Sequence, residues 1–400
     1  MVHVAKRTTW IEPSASSVAT QRVRELRAEG HDIIALTQGQ PDFDTPEHVI
    51  EAAIFAMQAG ETRYTPVMGT QALRDSIRHK FKRDNGLDYA DDQVMSANGG
   101  KQIVYNALMS TVDPGDEVIV TAPYWVSYPE MTKFAGGVPV EVLCREENDF
   151  KLTAEQLDEV ISPKTRWLIL NSPNNPSGAV YSLKELRQIA ELLEQHERIM
   201  VMTDDIYEHI IYDGINMATM ASAAPFMFDR TLTINGVSKA YSMTGWRIGI
   251  AGGPARLIKT MSKLQNQSTG NPSSVSQAAA IAAFSGPQDI VVERAKAFQE
   301  RRDRVVDMLN EVSGLSCRKP QGAFYVYPNC AGLIGRKSPE GKIMKTDRDV
   351  VLYLMEHGGV AAVHGEAYGL SPYFRLSFAE SMENLEEACR RIQSACQALA

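Results

Sequence analysis

The sequence predicts an α/β fold: a mostly parallel central sheet with helices on both faces, plus a smaller α+β unit contributed by both chain ends. Three observations predict it. Near-continuous apolar runs such as Trp167-Leu168-Ile169-Leu170 and Ile199-Met200-Val201-Met202 have the composition of strands buried on both sides. Between such runs stand helix-start signals, among them Thr153-Ala154-Glu155-Gln156 and Ser182-Leu183-Lys184-Glu185. Unusual polar residues gather just after the apolar runs, at the carboxyl edge of the inferred sheet, where open α/β folds bind ligands.

Taken in order, residues 14–30 predict a helix with Val18, Val23 and Leu26 as its apolar positions and Gly30 as its stop. Asp32 to Leu36 predicts a short strand that delivers the loop Thr37-Gln38-Gly39-Gln40-Pro41-Asp42-Phe43, where backbone can approach a ligand closely. Asp44-Thr45-Pro46-Glu47 predicts a helix start, with a capping hydroxyl and proline in the first helical position. Val49, Ile50, Ala53, Ile54 and Met57 then form a predicted core-facing stripe. An irregular stretch around Tyr64 precedes a second amphipathic helix through Leu73, Ile77 and Phe81.

A strand from Val94 runs into Gly99-Gly100 and a helix through Val104, Ala107 and Leu108, whose free N–H groups and positive dipole end suit an anion. The segment matches neither the P-loop nor the dinucleotide fingerprint. The strand Glu117 to Thr121 leads into Pro123-Tyr124-Trp125, and Leu152 and Leu157 bracket the first capping box as a hydrophobic staple. Two further strands end in Asn171-Ser172-Pro173-Asn174-Asn175-Pro176 and in Thr203-Asp204-Asp205-Ile206-Tyr207-Glu208-His209. The stretch from Thr231 to Gly252 holds a β-branched strand, Ser238-Lys239 in a small-residue turn, and Gly245-Trp246-Arg247 opening a second apolar run.

Beyond Gly252, helices extend to about residue 312, broken near 268–272 and at Gly286-Pro287. The remainder reads as α+β, with strands at 323–327, 360–363 and 373–378, a helix at 348–357 and a terminal helix. The expected division is a large domain over residues 47–295 and a small one from 1–46 together with 296–400.

Composition narrows the function classes. The chain has 400 residues with a net charge of -8, so no global positive field draws it to nucleic acid or to an anionic membrane surface. Its five cysteines are odd in number and lack C-x-x-C spacing, which supports neither a disulfide framework nor a metal site. Cys389 and Cys396 read as small core residues on one helix. No signal-like apolar region stands near the start and no apolar stretch is long enough to span a bilayer, so the expected compartment is the cytoplasm.

The polar residues at the strand ends meet the separate needs of one cofactor, pyridoxal 5′-phosphate. Its aldehyde needs a lysine amine, its pyridine nitrogen a carboxylate, and its phosphate cations and N–H donors. Lys239, Asp204, Arg247 and the Gly99-Gly100 helix start supply these. Tyr207 and Asn175 suit the 3-oxygen, and Trp125 suits the ring face.

The same residues carry a family resemblance. Gly-Gly-Lys-Gln at 99–102, Pro-Tyr-Trp-Val-Ser-Tyr-Pro-Glu-Met at 123–131 and Ser-Lys-Ala-Tyr-Ser-Met-Thr-Gly-Trp-Arg-Ile-Gly at 238–249 resemble a bacterial subgroup of the aspartate aminotransferase family. This family is class I and fold-type I, and the similarity runs over nearly the whole chain. The resemblance implies the pyridoxal-phosphate-dependent transferase fold and an amino-group transfer between an L-amino acid and a 2-oxo acid, with aspartate and glutamate favoured.

It also implies residue roles. Lys239 would be the Schiff-base lysine and proton shuttle. Asp204 would pair with the pyridinium, Tyr207 and Asn175 would bond the 3-oxygen, and Trp125 would stack on the ring. Ser238, Arg247 and the backbone of Gly100 and Lys101 would hold the phosphate, joined by Tyr64 from the neighbouring subunit of a homodimer. Arg375 would take the substrate α-carboxylate, assisted by Gly39, with Trp125 and Asn175 also facing substrate and Lys101 meeting a distal carboxylate.

Two places depart from the subgroup's pattern. Glu12 stands where close relatives have a basic residue tied to prephenate, and Gln38-Gly39-Gln40 stands where they have Ala-Gly-Glu. The first weakens a prephenate reading and the second leaves the aspartate preference itself open, with an aromatic, broad-specificity or prephenate aminotransferase as the alternatives. A pyridoxal-phosphate-dependent C–S or C–C lyase on the same fold is the alternative enzyme class. A ligand-sensing module fused to a DNA-binding domain is disfavoured, because the chain reaches its Gly39 loop too early to hold one.

Overall fold

The computed structural model describes residues 2–400. Its strands, in chain order, are β1 (Ile34–Ala35), β2 (Val94–Ala97), β3 (Glu117–Ala122), β4 (Val138–Leu143), β5 (Thr165–Asn171), β6 (Met200–Asp204), β7 (Thr231–Gly236), β8 (Gly249–Gly252), β9 (Tyr325–Val326), β10 (Val360–Ala361), β11 (Val363–His364) and β12 (Phe374–Ser377). Seven of them form one sheet in the order β2-β8-β7-β6-β5-β3-β4. Only β8 runs against the rest, pairing antiparallel with both β2 and β7.

The two faces of this sheet follow from the pleat, which sends successive side chains to opposite sides. Val118, Val120, Trp167, Ile169 and Met202 pack on one face with Ile103, Leu108, Met131 and Ile258 from helices. Ile119, Leu168, Leu170 and Val201 pack on the other with Leu157, Leu186, Ile189 and Leu193. Each such side chain contributes about 1.5–3 kcal/mol by leaving water, so both faces must be covered. The capping boxes at Thr153 and Ser182 form as predicted and start two of the covering helices.

The chain ends build separate small sheets. β1 pairs parallel with β10, and β11, β12 and β9 form an antiparallel set. Phe374, Leu376 and Phe378 turn into an apolar cluster with Phe298, Phe324 and Leu354, which leaves Arg375 on the opposite side of its strand.

Several local expectations are corrected. Val18 is exposed, as are Ile50, Ile54 and Met57, so only Val49, Ala53 and Ala56 of the helix Glu47–Gln58 are core positions. The Thr45 hydroxyl does not cap that helix; Pro46 is the cap residue, and Thr45 Oγ1 instead donates to the Ser242 carbonyl at 3.0 Å. The run 360–363 divides into two strands on different sheets, and the strand expected over 32–36 contracts to Ile34–Ala35. All five cysteines are free and buried, Cys389 and Cys396 within one core cluster.

Candidate active site

The carboxyl ends of the parallel strands open onto a cavity of about 630 Å³. Asp204 ends β6, Asn171 ends β5, and Ser238 and Lys239 follow the end of β7. Because β8 is antiparallel, its beginning lies at this same edge, which brings Arg247 to the cavity two residues before the strand. Gly39, Gly100, Lys101, Trp125, Asn175, Asp204, Tyr207, Ser238, Lys239, Arg247 and Arg375 all line it. Tyr64 does not: it stands 98% exposed on the surface.

The Lys239 amine donates to the Gly39 carbonyl at 2.6 Å and lies against the rings of Tyr207 and Phe324. Burial, assisted by the Arg375 and Arg247 cations and opposed by Asp204, brings it down to about 8. A fraction of this amine is therefore neutral and nucleophilic near neutral pH, unlike a solvated lysine.

Asp204 accepts a 2.6 Å hydrogen bond from the Tyr128 hydroxyl and a longer one from the Ile206 backbone. Burial raises its pKa, while these bonds and the Lys239 charge hold it back. A buried carboxylate in this position calls for a cationic partner from the cavity. Tyr207 shares a 2.8 Å hydrogen bond with Tyr325, and its phenol is pushed well above its ordinary value by burial, so it stays a neutral donor.

At the other end, the helix Gly100–Thr111 points its free N–H groups into the cavity beside Arg247. Gly99 has φ +89°, and a Cβ there would strike the Arg247 guanidinium, so glycine permits the approach. Arg247 itself adopts φ 57°. These donors and this cation form an anion cradle.

Arg375 is buried, donates to Asn175 Oδ1 at 2.9 Å and to the Thr37 carbonyl, and packs against Tyr325 and Tyr368. Its Nε has no partner among the described residues. A buried guanidinium with an unused donor suits bidentate capture of a carboxylate. Lys101 lies over the Trp125 ring at 4.9 Å, its pKa lowered by burial and by Arg247.

The chain matches the family model for aminotransferases of class I and II over residues 31–392. The chain belongs to this family. An aspartate aminotransferase of Rhizobium meliloti (strain 1021) is 52% identical over 94% of this chain and 92% of that protein. An aspartate/prephenate aminotransferase of Cereibacter sphaeroides is 51% identical over 97% of each chain. The crystal structure of an aspartate aminotransferase from Rhizobium meliloti superposes with a TM-score of 0.98 at 50% identity over the full length of both chains. That of Thermus thermophilus with maleate gives 0.91 at 40% identity, covering 99% of this chain and 100% of that one.

The aminotransferase fold also brings forward residues that the sequence reading passed over. Tyr128, Tyr325, Thr37 and Tyr368 each brace a predicted site residue. Tyr128 sits inside the quoted Pro-Tyr-Trp-Val-Ser-Tyr motif, but only the fold shows that its hydroxyl reaches Asp204, 76 positions away. Ser16, Ser17, Thr20, Gln21 and Arg24 of the first helix also line the cavity, a polar face overlooked when only apolar spacing was read.

Proposed function

We propose that this aminotransferase uses pyridoxal 5′-phosphate and prefers aspartate and glutamate with their 2-oxo acids. The observation that carries the proposal is the arrangement of Lys239, Asp204 and the Arg247–Gly100 anion cradle around one cavity. The donor set fits the cofactor: amine for aldehyde, buried carboxylate for pyridine nitrogen, neutral Tyr207 hydroxyl for the 3-oxygen, and Trp125 for the ring. Ser238, Arg247 and the Gly100 and Lys101 backbone would hold the phosphate.

When bound, the cofactor supplies a carbonyl that takes up the amino group and a ring that draws electrons from the substrate Cα. The remaining work falls to the chain. Arg375 binds the α-carboxylate, and Asn175, its Oδ1 already engaged by Arg375, offers its amide N–H groups. The Lys239 amine would take the Cα proton and return it on the far side of the transfer, burial having lowered its pKa toward the range where a neutral amine can accept a proton. The Tyr128 hydrogen bond favours the charged form of Asp204 against the burial that raises its pKa. Lys101, which lines the cavity, would meet a distal carboxylate, while Glu12, whose backbone N–H bonds the Glu130 carboxylate at 2.7 Å, lies outside the cavity lining and offers no cation to the second carboxylate of prephenate.

The proposed assembly is a homodimer. Ile50, Ile54, Phe55 and Met57 expose an apolar face on the helix Glu47–Gln58, and Tyr64 projects nearby, free to reach a second copy's phosphate site. The proposed domain division places residues 47–295 in the large body and 1–46 with 296–400 in the small one. A cytoplasmic location accords with five free, buried cysteines.

The test is a screen of each amino acid with and without 2-oxoglutarate, following oxo acid and ammonia. Aspartate turnover that requires the acceptor, with prephenate a poor acceptor, is expected. Ammonia release without an acceptor would show a lyase instead.

A further inference from the structure

Two loops meet behind the cavity. Residues 37–45 present the Gly39 carbonyl to Lys239, and residues 238–247 carry Lys239 and Arg247. Arg294, on the helix Asp289–Asn310 and only 9% exposed, bonds both of them. Its Nη1 donates to Ser242 Oγ at 3.1 Å and its Nη2 to the Asp44 carbonyl, while its guanidinium lies 5.3 Å from the Phe43 ring centre.

Ser242 is no ordinary turn residue. It adopts φ 54°, in the left-handed region that a serine occupies at a cost, and its N–H bonds the Lys239 carbonyl at 3.3 Å. Its own carbonyl accepts from Thr45 Oγ1 at 3.0 Å, and that hydroxyl accepts from Trp246 Nε1 at 3.0 Å. Side chain and backbone of the strained residue are thus both gripped from outside its own turn. Two turns further along the same helix, Arg301 holds Asp42 through two hydrogen bonds of 2.6 and 2.9 Å.

We propose that Arg294 is a positioning residue for the amino transfer, latching the 37–45 loop to the lysine turn so that the Lys239 amine keeps its register with Gly39 and the substrate. The latch stands where the chain passes between the two proposed domains, at 46–47 and at 295–296, so it spans the place where relative motion would disturb that register. The inference rests on Lys239 being the proton shuttle. Among the described residues, no other cation from outside the two loops bonds both of them.

Arg294→Met and Thr45→Val test it. With Asp, Glu and their oxo acids, kcat is expected to fall roughly 10- to 100-fold in Arg294→Met, the scale on which small misplacements of a reacting group act. The fall is smaller in Thr45→Val, which keeps the side-chain shape. The isotope effect with Cα-deuterated aspartate rises in both, because proton transfer by Lys239 becomes the slower step. Arg294→Lys, able to keep one of the two bonds, restores part of kcat.

With the cofactor removed, the pH midpoint for chemical modification of Lys239, whose amine faces Arg375, Arg247, Asp204 and Tyr207, moves up from about 8 as water gains access. Wild-type kcat, isotope effect and midpoint in Arg294→Met and Thr45→Val would overturn the proposal, whatever the melting temperatures. Should Arg294→Met fail to fold, the same three readings on Thr45→Val decide. Retained transamination in Lys239→Ala would instead remove the reading beneath the latch.

Discussion

Replacing Lys239 by methionine keeps the apolar stem and removes the charge. Burial, with Arg375 and Arg247 beside it and Asp204 opposing, lowers this lysine from 10.5 to about 8, and at about 1.4 kcal/mol per pKa unit the folded state bears a cost on the order of 3 kcal/mol. Below pH 8 the amine is protonated in folded and unfolded chains alike, so the whole cost is present. Between 8 and 10.5 the unfolded chain binds more protons, so stability rises with pH; above 10.5 both forms are neutral and the cost is gone.

Cofactor-free Lys239→Met is therefore expected to be more stable than the cofactor-free parent at pH 7, by up to roughly 3 kcal/mol, and to lose that advantage as the pH approaches 10.5. Urea unfolding of both proteins at several pH values, at one protein concentration, measures the difference. A stability difference that does not change with pH would refute the assignment of Lys239 as a desolvated amine.

Tyr128→Phe removes the 2.6 Å bond to the buried Asp204 carboxylate. A hydrogen bond to a charged group is worth about 1.5–3 kcal/mol, so kcat should drop roughly 10- to 100-fold with weaker cofactor retention, read by steady-state kinetics and spectrophotometric titration. Kinetics within twofold of wild type would show that Tyr128 does not support Asp204. Arg375→Ala should cut kcat/KM for every amino acid by about 100-fold or more, since all share the α-carboxylate, and leave aspartate and aromatic substrates equally affected. Phe55→Glu places a charge in the exposed apolar face of the helix Glu47–Gln58 and should yield a monomer by sedimentation, with activity lost alongside. An active monomer would refute a shared site.

Strand and helix order was legible because burial on both faces leaves an unmistakable apolar run, and capping boxes mark helix starts chemically. That Lys239, Asp204, Arg247 and Arg375 share one cavity was legible too, since Asp204 ends β6, Lys239 and Arg247 lie within three residues of β7 and β8, and the alternation of Phe374, Leu376 and Phe378 turns Arg375 away from the apolar cluster. What stayed hidden depends on partners distant in sequence. Thr45 looked like a cap because a hydroxyl before Pro46 usually is one, yet its partner is Ser242, 197 positions on. Ile50, Ile54 and Met57 have core spacing but face outward, because periodicity reports an apolar face without saying whether the same chain or another copy covers it. Tyr128 and Arg294 act through long-range bonds that no local pattern encodes.

The central claim is that the Lys239 amine is where the cofactor is held and the amino group exchanged. It is tested by adding pyridoxal 5′-phosphate to the purified protein and to Lys239→Ala, dialysing, and recording the visible spectrum before and after aspartate alone. The account predicts a visible band in the parent that aspartate discharges and 2-oxoglutarate restores, and neither response in Lys239→Ala. The same band and the same discharge in Lys239→Ala would contradict it.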